Sequence, residues 1–284
     1  MPPVSDHGTA TVTPLAAKSP FELRVDLGRN VPDAAVRGAL VSGEMGFLHS
    51  FTTGSAVDGP GVRVVAWTSG CMWRCLYCHN PDTWTMTNGM PVTIARATEE
   101  LRKYQHGLRL MSGGLTVSGG EPLMQDRFVV KLCTAAKAMG VHTTLETNGV
   151  YGVRLSDRDL DAIDLVMLGI KTWDPARHRR LTGMDSELTL EFARRLAAQR
   201  RKLWIRFVLV PGLTDDRDDL TNIARFAASL GTVERVEVLP FHQMGRFKWE
   251  RLGLPYSLAA VEPPTPQATE QVCELFRREG LVAY

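Results

Sequence analysis

The chain has 284 residues and carries 33 Lys and Arg against 31 Asp and Glu, a formal net charge of +2. So even a balance leaves no bulk electrostatic footprint for nucleic acid or a membrane surface, and no apolar stretch reaches the roughly 18 residues of a spanning helix. The five cysteines are odd in number and three of them are clustered. That pattern argues against a secreted disulfide framework and for a reducing compartment, so a soluble cytoplasmic protein with one catalytic domain is expected.

Residues 1–43 mix Pro, Ser, Thr, Gly and Ala without a sustained period. They read as a flexible N-terminal extension with one short helix near 33–40 and no basic-then-apolar leader at the start. From Phe47 onward, short apolar runs rich in β-branched residues alternate with segments of helical period. Strands are expected at 62–67, 115–117, 143–146, 165–168, 203–210 and 233–239. Between them, Val129, Leu132, Ala136 and Met139 make one i, i+3, i+7, i+10 stripe, and Leu220, Ile223, Ala227 and Leu230 make another. Leu190, Ala193 and Ala197 mark a further helix running into the basic segment 194–202, which reads as a solvated face near a helix C-terminus. Cys133 and Cys273 stand alone in helical segments and read as small buried hydrophobes.

Strand-helix alternation of this kind predicts an α/β fold with a parallel sheet and right-handed crossovers. All strand-to-helix loops then gather at one rim. Cys71, Cys75 and Cys78 follow the first strand, Ser118-Gly119-Gly120-Glu121-Pro122 the second, and Glu146-Thr147-Asn148-Gly149 ends the third. Gly169-Ile170-Lys171 ends the fourth and Pro240-Phe241-His242 the sixth. Any one of these can be an ordinary turn, but turn chemistry does not explain all of them together.

Three clustered thiolates suit a soft metal centre. Structural zinc usually takes four protein ligands, whereas a four-iron cluster held by three cysteines leaves one iron open for a small molecule. His79 offers itself as a fourth zinc ligand, but adjacent residues rarely ligate one tetrahedral ion.

The C-x3-C-x2-C triplet, with Tyr77 before its last cysteine and Gly119-Gly120-Glu121 downstream, resembles the radical S-adenosylmethionine superfamily. The runs Asp58-Gly59-Pro60-Gly61-Val62-Arg63, Gly70 to Trp84 and Trp204 to Gly212 are similar to the pyruvate formate-lyase activating enzymes, a family of glycyl-radical-enzyme activators. The likeness extends from about Gly43 to the C-terminus. No further cysteine clusters exist, which separates the chain from activators with a ferredoxin-like insert. The 208–212 and 239–242 segments separate it from activators of the anaerobic ribonucleotide reductase.

The resemblance implies a partial (β/α)6 barrel of the radical S-adenosylmethionine type as the catalytic domain, residues 44–284. One 4Fe-4S cluster would sit on Cys71, Cys75 and Cys78, with S-adenosylmethionine chelating its open iron. Reductive cleavage of the sulfonium would yield a 5'-deoxyadenosyl radical that takes hydrogen from a glycine of the partner. That partner would be pyruvate formate-lyase or a related glycyl-radical enzyme. The resemblance also implies a flavodoxin or ferredoxin-type electron donor, a monomer, and no nucleic-acid or membrane partner.

The family's site residues carry over onto matching positions. Tyr77, Cys78, His79, Gly120, Gly169, Ile170, Lys171 and His242 would bind the cofactor. Tyr77 and His242 would meet adenine, and Gly120 would let the backbone approach where a side chain would obstruct. Glu121 would act through the loop backbone more than through its charge. Lys171, His242, Asp58 and Arg206 form the expected catalytic set, with Asp58 and Arg206 gripping an extended glycine-containing loop; a plain salt bridge is the alternative for these two.

Glu146 and Gly169 stand where the family pattern has aspartates, next to Thr147 and the backbone of Met167, in what resembles a monovalent-cation site. With one carboxylate fewer, the cation is expected to be held weakly or lost. Two other functions stay open. A radical enzyme acting on a small molecule would need a closed polar pocket, and a zinc-binding structural module would need a fourth ligand.

Overall fold

The computed structural model describes residues 33–284, so residues 1–32 of the expected extension lie outside the described residues. The strands are β1 (Met45–Ser55), β2 (Arg63–Thr68), β3 (Met90–Thr93), β4 (Gly114–Gly119), β5 (His142–Thr147), β6 (Leu165–Gly169), β7 (Leu203–Leu209) and β8 (Val233–Pro240). They form one sheet in the order β3-β1-β2-β4-β5-β6-β7-β8. Every pairing from β2 to β8 is parallel, so the expected partial barrel is this sheet.

The helices are α1 (Asp33–Ser42), α2 (Ile94–Arg102), α3 (Gln105–Leu110), α4 (Asp126–Ala138), α5 (Asp157–Leu160), α6 (Pro175–Thr182), α7 (Glu187–Ala198), α8 (Arg217–Leu230), α9 (Arg246–Arg251) and α10 (Pro266–Arg278). Asp174, Asp216 and Thr265 cap α6, α8 and α10 by accepting the backbone N–H of Arg177, Asp219 and Ala268. Gly183 and Gly231 end α6 and α8 in the left-handed conformation. None of the helices is long and apolar enough to cross a membrane among the described residues.

Alternation along the strands decides what each face carries. Val64, Ala66, Leu115, Val117, Leu145, Val166, Leu168, Ile205, Phe207, Val236 and Val238 share one apolar core with the buried stripes of α4, α7, α8 and α10. Burying such side chains contributes about 1.5–3 kcal/mol each and fixes the strand parity. Cys133 and Cys273 belong to this core, at 0% and 1% exposure. The opposite parity gives the other face Arg63, Trp67, Thr116, Ser118, Thr144, Glu146, Met167, Gly169, Trp204, Arg206 and Glu237. The basic segment 194–202 is solvated, with Arg195 on Asp157, Arg201 on Asp161 and Lys202 on Glu234.

One feature departs from expectation. β1 and β3 add an antiparallel edge beside β2; the outer half of β1 is exposed, so its sequence lacks the unbroken apolar run of a buried strand. Helix α1 packs on β1 and α4, with Arg127 Nη1 donating to Val41 O at 2.7 Å and Lys131 paired with Glu44. The short helix expected near 33–40 is thus α1, and it lies against the sheet.

Candidate active site

At the C-terminal ends of the parallel strands lies a cavity of about 340 Å³, within the usual range for small-molecule sites. Its wall includes Cys71, Cys75, Cys78, Tyr77, His79, Gly120, Gly169, Lys171, His242, Asp58 and Arg206. Every expected site residue is thus at the rim except Ile170, whose side chain is 2% exposed in the apolar core. A larger groove of about 1120 Å³, between the loop after β7 and α10, holds none of these residues.

The cysteine segment is held by other parts of the chain. Gly70 N and Cys71 N donate to Thr83 O and Trp84 O at 2.7 and 3.0 Å, while Arg74 N and Leu76 N donate to Thr182 O and Leu181 O at 2.7 and 3.0 Å. From α9, Trp249 Nε1 donates to Cys78 O at 2.8 Å, and Lys248 Nζ donates to Asn80 Oδ1 at 2.7 Å and pairs with Asp82. Trp84 stands edge-on to Trp249, ring centroids 5.1 Å apart, under the Arg74 guanidinium.

The donor chemistry fits a multi-iron cluster. All three thiols are free and reach one cavity, yet among the described residues no three His, Cys, Asp or Glu groups converge on one metal ion. Three free thiols on one cavity suit a cluster, in which each cysteine binds a separate iron. Two buried donors of the same segment, Trp73 Nε1 and Tyr77 Oη, have no partner among the described residues. Burial pushes all three thiols up, Cys78 to about 12, so metal binding must displace their protons.

Gly120 backs this segment. A Cβ there would stand 2.3 Å from Gly70 O, so the loops meet only because position 120 has no side chain. Glu121 acts through its backbone, as expected, and through its side chain as well. Fully buried, its carboxylate accepts from Thr147 Oγ1 at 2.6 Å, Asn148 N at 2.8 Å and Leu123 N at 2.9 Å. It ties the loop after β4 to the loop after β5, and its backbone N–H donates to Gly70 O at 2.7 Å.

Lys171 Nζ occupies the space beside Gly169: a Cβ on that glycine would lie 2.9 Å from the amine. It forms no ion pair among the described residues and sits 5.8 Å from the Tyr77 ring centroid, an uncommitted positive charge facing the cysteines. His242 and His79 stand edge-to-face with centroids 4.9 Å apart. Met244 N donates to His242 Nδ1 at 3.4 Å, which favours the tautomer with its proton on Nε2.

On the inner face of the sheet, Arg206 gathers the acids. Its Nη1 contacts Glu146 Oε1 at 2.6 Å and lies 3.8 Å from Asp58 Oδ1, Nε donates to Glu237 Oε2 at 2.9 Å, and Nη2 donates to Val57 O at 2.9 Å. The other Glu146 oxygen accepts from Ser118 Oγ at 2.6 Å. Burial raises the Glu146 carboxyl, but the Arg206 charge and the Ser118 hydrogen bond outweigh it and leave it below the ordinary range. At Asp58 burial wins over the Ser55 hydrogen bond and, with Glu146 adding repulsion, raises the carboxyl.

Arg63 positions the Asp58 turn from beneath. Wholly buried, it donates to Pro60 O at 3.1 Å, Leu115 O at 2.6 Å, Thr144 Oγ1 at 2.9 Å and Thr116 Oγ1 at 2.9 Å, and Thr116 Oγ1 donates on to Asp58 O at 2.6 Å. Desolvation pulls its guanidinium down to about 10, still cationic at neutral pH. Neither this role nor those of Glu237 and Trp249 emerged from sequence. Glu237 was accessible from the alternation of β8, but nothing near Trp249 signals a reach of 171 positions to Cys78.

Comparison with known proteins follows the geometry. Residues 65–227 match the family described as the radical SAM superfamily. The chain is 43% identical over 244 residues to a pyruvate formate-lyase-activating enzyme of Staphylococcus epidermidis, covering 84% of this chain and 97% of that protein. It is 41% identical over 240 residues to the pyruvate formate-lyase 1-activating enzyme of Escherichia coli, covering 83% and 97%. A crystal structure of a radical SAM methyltransferase from Sphaerobacter thermophilus shares the fold at a TM-score of 0.58 and 14% identity, over 90% of this chain and 81% of that one.

Proposed function

The chain belongs to the pyruvate formate-lyase activating enzymes of the radical SAM superfamily, and from that premise we infer that it activates pyruvate formate-lyase under anaerobic conditions by installing a radical on one of that enzyme's glycines. Cys71, Cys75 and Cys78 would hold a 4Fe-4S cluster, which when bound would supply the one-electron chemistry for reductive cleavage of S-adenosylmethionine and hydrogen abstraction. The observation that carries this reading is one cavity wall shared by the three free cysteines with Asp58 and Arg206.

The protein's task is to bind, orient and exclude water. Gly120 lets the loop backbone approach the amino-acid end of S-adenosylmethionine. Tyr77, His79 and His242 offer aromatic edges and a ring N–H to the adenine end. Lys171 and the Gly169 backbone would line the nucleoside between them, and the ammonium would offset negative charge at a bound cluster. Arg206 spends three of its five N–H groups inside the chain. The remainder, with the Asp58 carboxylate, suits an unpaired peptide backbone better than a small molecule. That complementarity favours a protein glycine over the small-molecule alternative.

The positions that resemble a monovalent-cation site are already committed within the chain. Glu146 already has both oxygens engaged, and the Lys171 amine lies where a side chain at 169 would stand. The Arg206 guanidinium and the Lys171 ammonium supply positive charge there, and activity depends only weakly on potassium and sodium. The electron comes from a flavodoxin or ferredoxin-type carrier, and the enzyme acts as a cytoplasmic monomer.

The test is anaerobic mixing of reduced, reconstituted protein with S-adenosylmethionine and pyruvate formate-lyase, read by electron paramagnetic resonance. A glycyl radical on the partner is expected. Cofactor cleavage with no radical on any glycyl-radical enzyme offered would instead mark a small-molecule enzyme.

A further inference from the structure

We infer that the Trp73 indole N–H donates a hydrogen bond to a sulfur of the 4Fe-4S cluster and so raises the cluster's reduction potential; this rests on the cluster assignment above. Trp73 lies between Cys71 and Cys75 in the chain and lines the cavity with all three cysteines. It is 1% exposed, and its Nε1 has no hydrogen-bond partner among the described residues. Burying an indole N–H unpaired is costly, and such donors nearly always have an acceptor.

The ring is not free to find one elsewhere. It stands edge-to-face on His178 with centroids 4.9 Å apart, and that imidazole is fixed by Nδ1 on Met184 O at 2.7 Å. The backbone immediately after Trp73 is pinned by Arg74 N and Leu76 N on the end of α6. A group taken up by the cavity that Trp73 lines can supply the acceptor. Cluster sulfides and cysteine thiolates are negatively charged acceptors, and hydrogen bonds to them are a known control on potential. One-electron reduction adds a negative charge to the cluster, so a donor favours the reduced form. The triplet spacing itself does not call for tryptophan at this position; an apolar residue without N–H would fill the same volume.

The decisive experiment is a redox titration of the protein reconstituted anaerobically with iron and sulfide, reduced stepwise with dithionite and followed by the electron paramagnetic resonance of the reduced cluster. In Trp73→Phe the ratio of reduced to oxidised cluster at a fixed potential is expected to fall about tenfold, a downward shift of about 59 mV for a one-electron couple. Trp73→Met removes the same donor and serves if the Phe protein does not fold. Proton ENDOR of the wild-type reduced cluster in H2O and D2O is expected to show an exchangeable coupling that both variants lack. An unchanged potential in a cluster-bearing variant overturns the inference and leaves the N–H directed at the His178 ring. A wild-type protein that takes up no cluster overturns the underlying assignment as well.

Discussion

Arg206 reaches across the inner face of the sheet to Glu146, Nη1 to Oε1 at 2.6 Å, and that one pair ties β7 to β5 on the wall of the cavity. Removing a partner from a buried pair leaves an uncompensated charge; here Arg206 is 12% exposed and Glu146 25%, so the loss is moderated by water. Glu146→Gln is expected to destabilise the fold by about 1–3 kcal/mol at pH 7, read as a lower midpoint in urea.

The acid limb of stability should carry the same signature. Because the Glu146 carboxyl is lower in the folded state than its ordinary 4.5, its contribution is complete above that value and lost as pH falls through the folded pKa. Wild type and Glu146→Gln should therefore converge in stability below pH 4.5, the unfolded value. Parallel curves down to acid pH would show that the ion pair contributes nothing.

Asp58 should behave in the opposite sense. Burial raises its carboxyl, so its contribution is complete below the unfolded pKa of 3.8 and is lost as pH rises through the folded one. At neutral pH the charged form strains the fold. Asp58→Asn is predicted to raise the melting temperature at pH 7.5 while weakening productive binding of the glycine loop, seen as a higher KM for the partner. A lower melting temperature would contradict the strain.

Gly120→Ala places a methyl carbon 2.3 Å from Gly70 O, a backbone atom that cannot swing aside. The loops after β2 and β4 must part, at a cost of about 1–3 kcal/mol. Binding of S-adenosylmethionine to the reconstituted protein, measured by calorimetry, should weaken about tenfold, the equivalent of 1.4 kcal/mol. Full affinity would move the cofactor's amino-acid end away from this loop.

Replacing potassium and sodium by tetramethylammonium should change the initial rate of S-adenosylmethionine cleavage by less than about twofold, since hard-cation sites need oxygen ligands that Glu146 no longer offers. A large, reversible loss of rate on removing both ions would sink the idea of built-in cations.

Much of this architecture was readable before any coordinates. The parallel strands β2 and β4 to β7 announce themselves because both of their faces are largely buried, β8 is legible from its run of valines, and the rim residues follow from parallel direction alone. β1 was illegible because half of it faces water and its partner β3 is only Met90–Thr93. Within the site, the cysteines and glycines carry their reason locally. Glu121, Arg63 and Trp249 do not: each acts on a backbone group brought near by folding, and no spacing rule encodes that. Resemblance pointed to Asp58 and Arg206 together but not to the Glu146 and Glu237 that hold Arg206, although the period-2 pattern of β5 and β8 puts both on the same face.

The cysteine segment is clasped at Thr83, Trp84, Leu181, Thr182 and Trp249 by bonds that involve no thiol. Its shape is therefore inherited from the scaffold and not from its cargo. A loop set by its own backbone bonds presents the three thiols as a preformed mould, shaped before anything fills it.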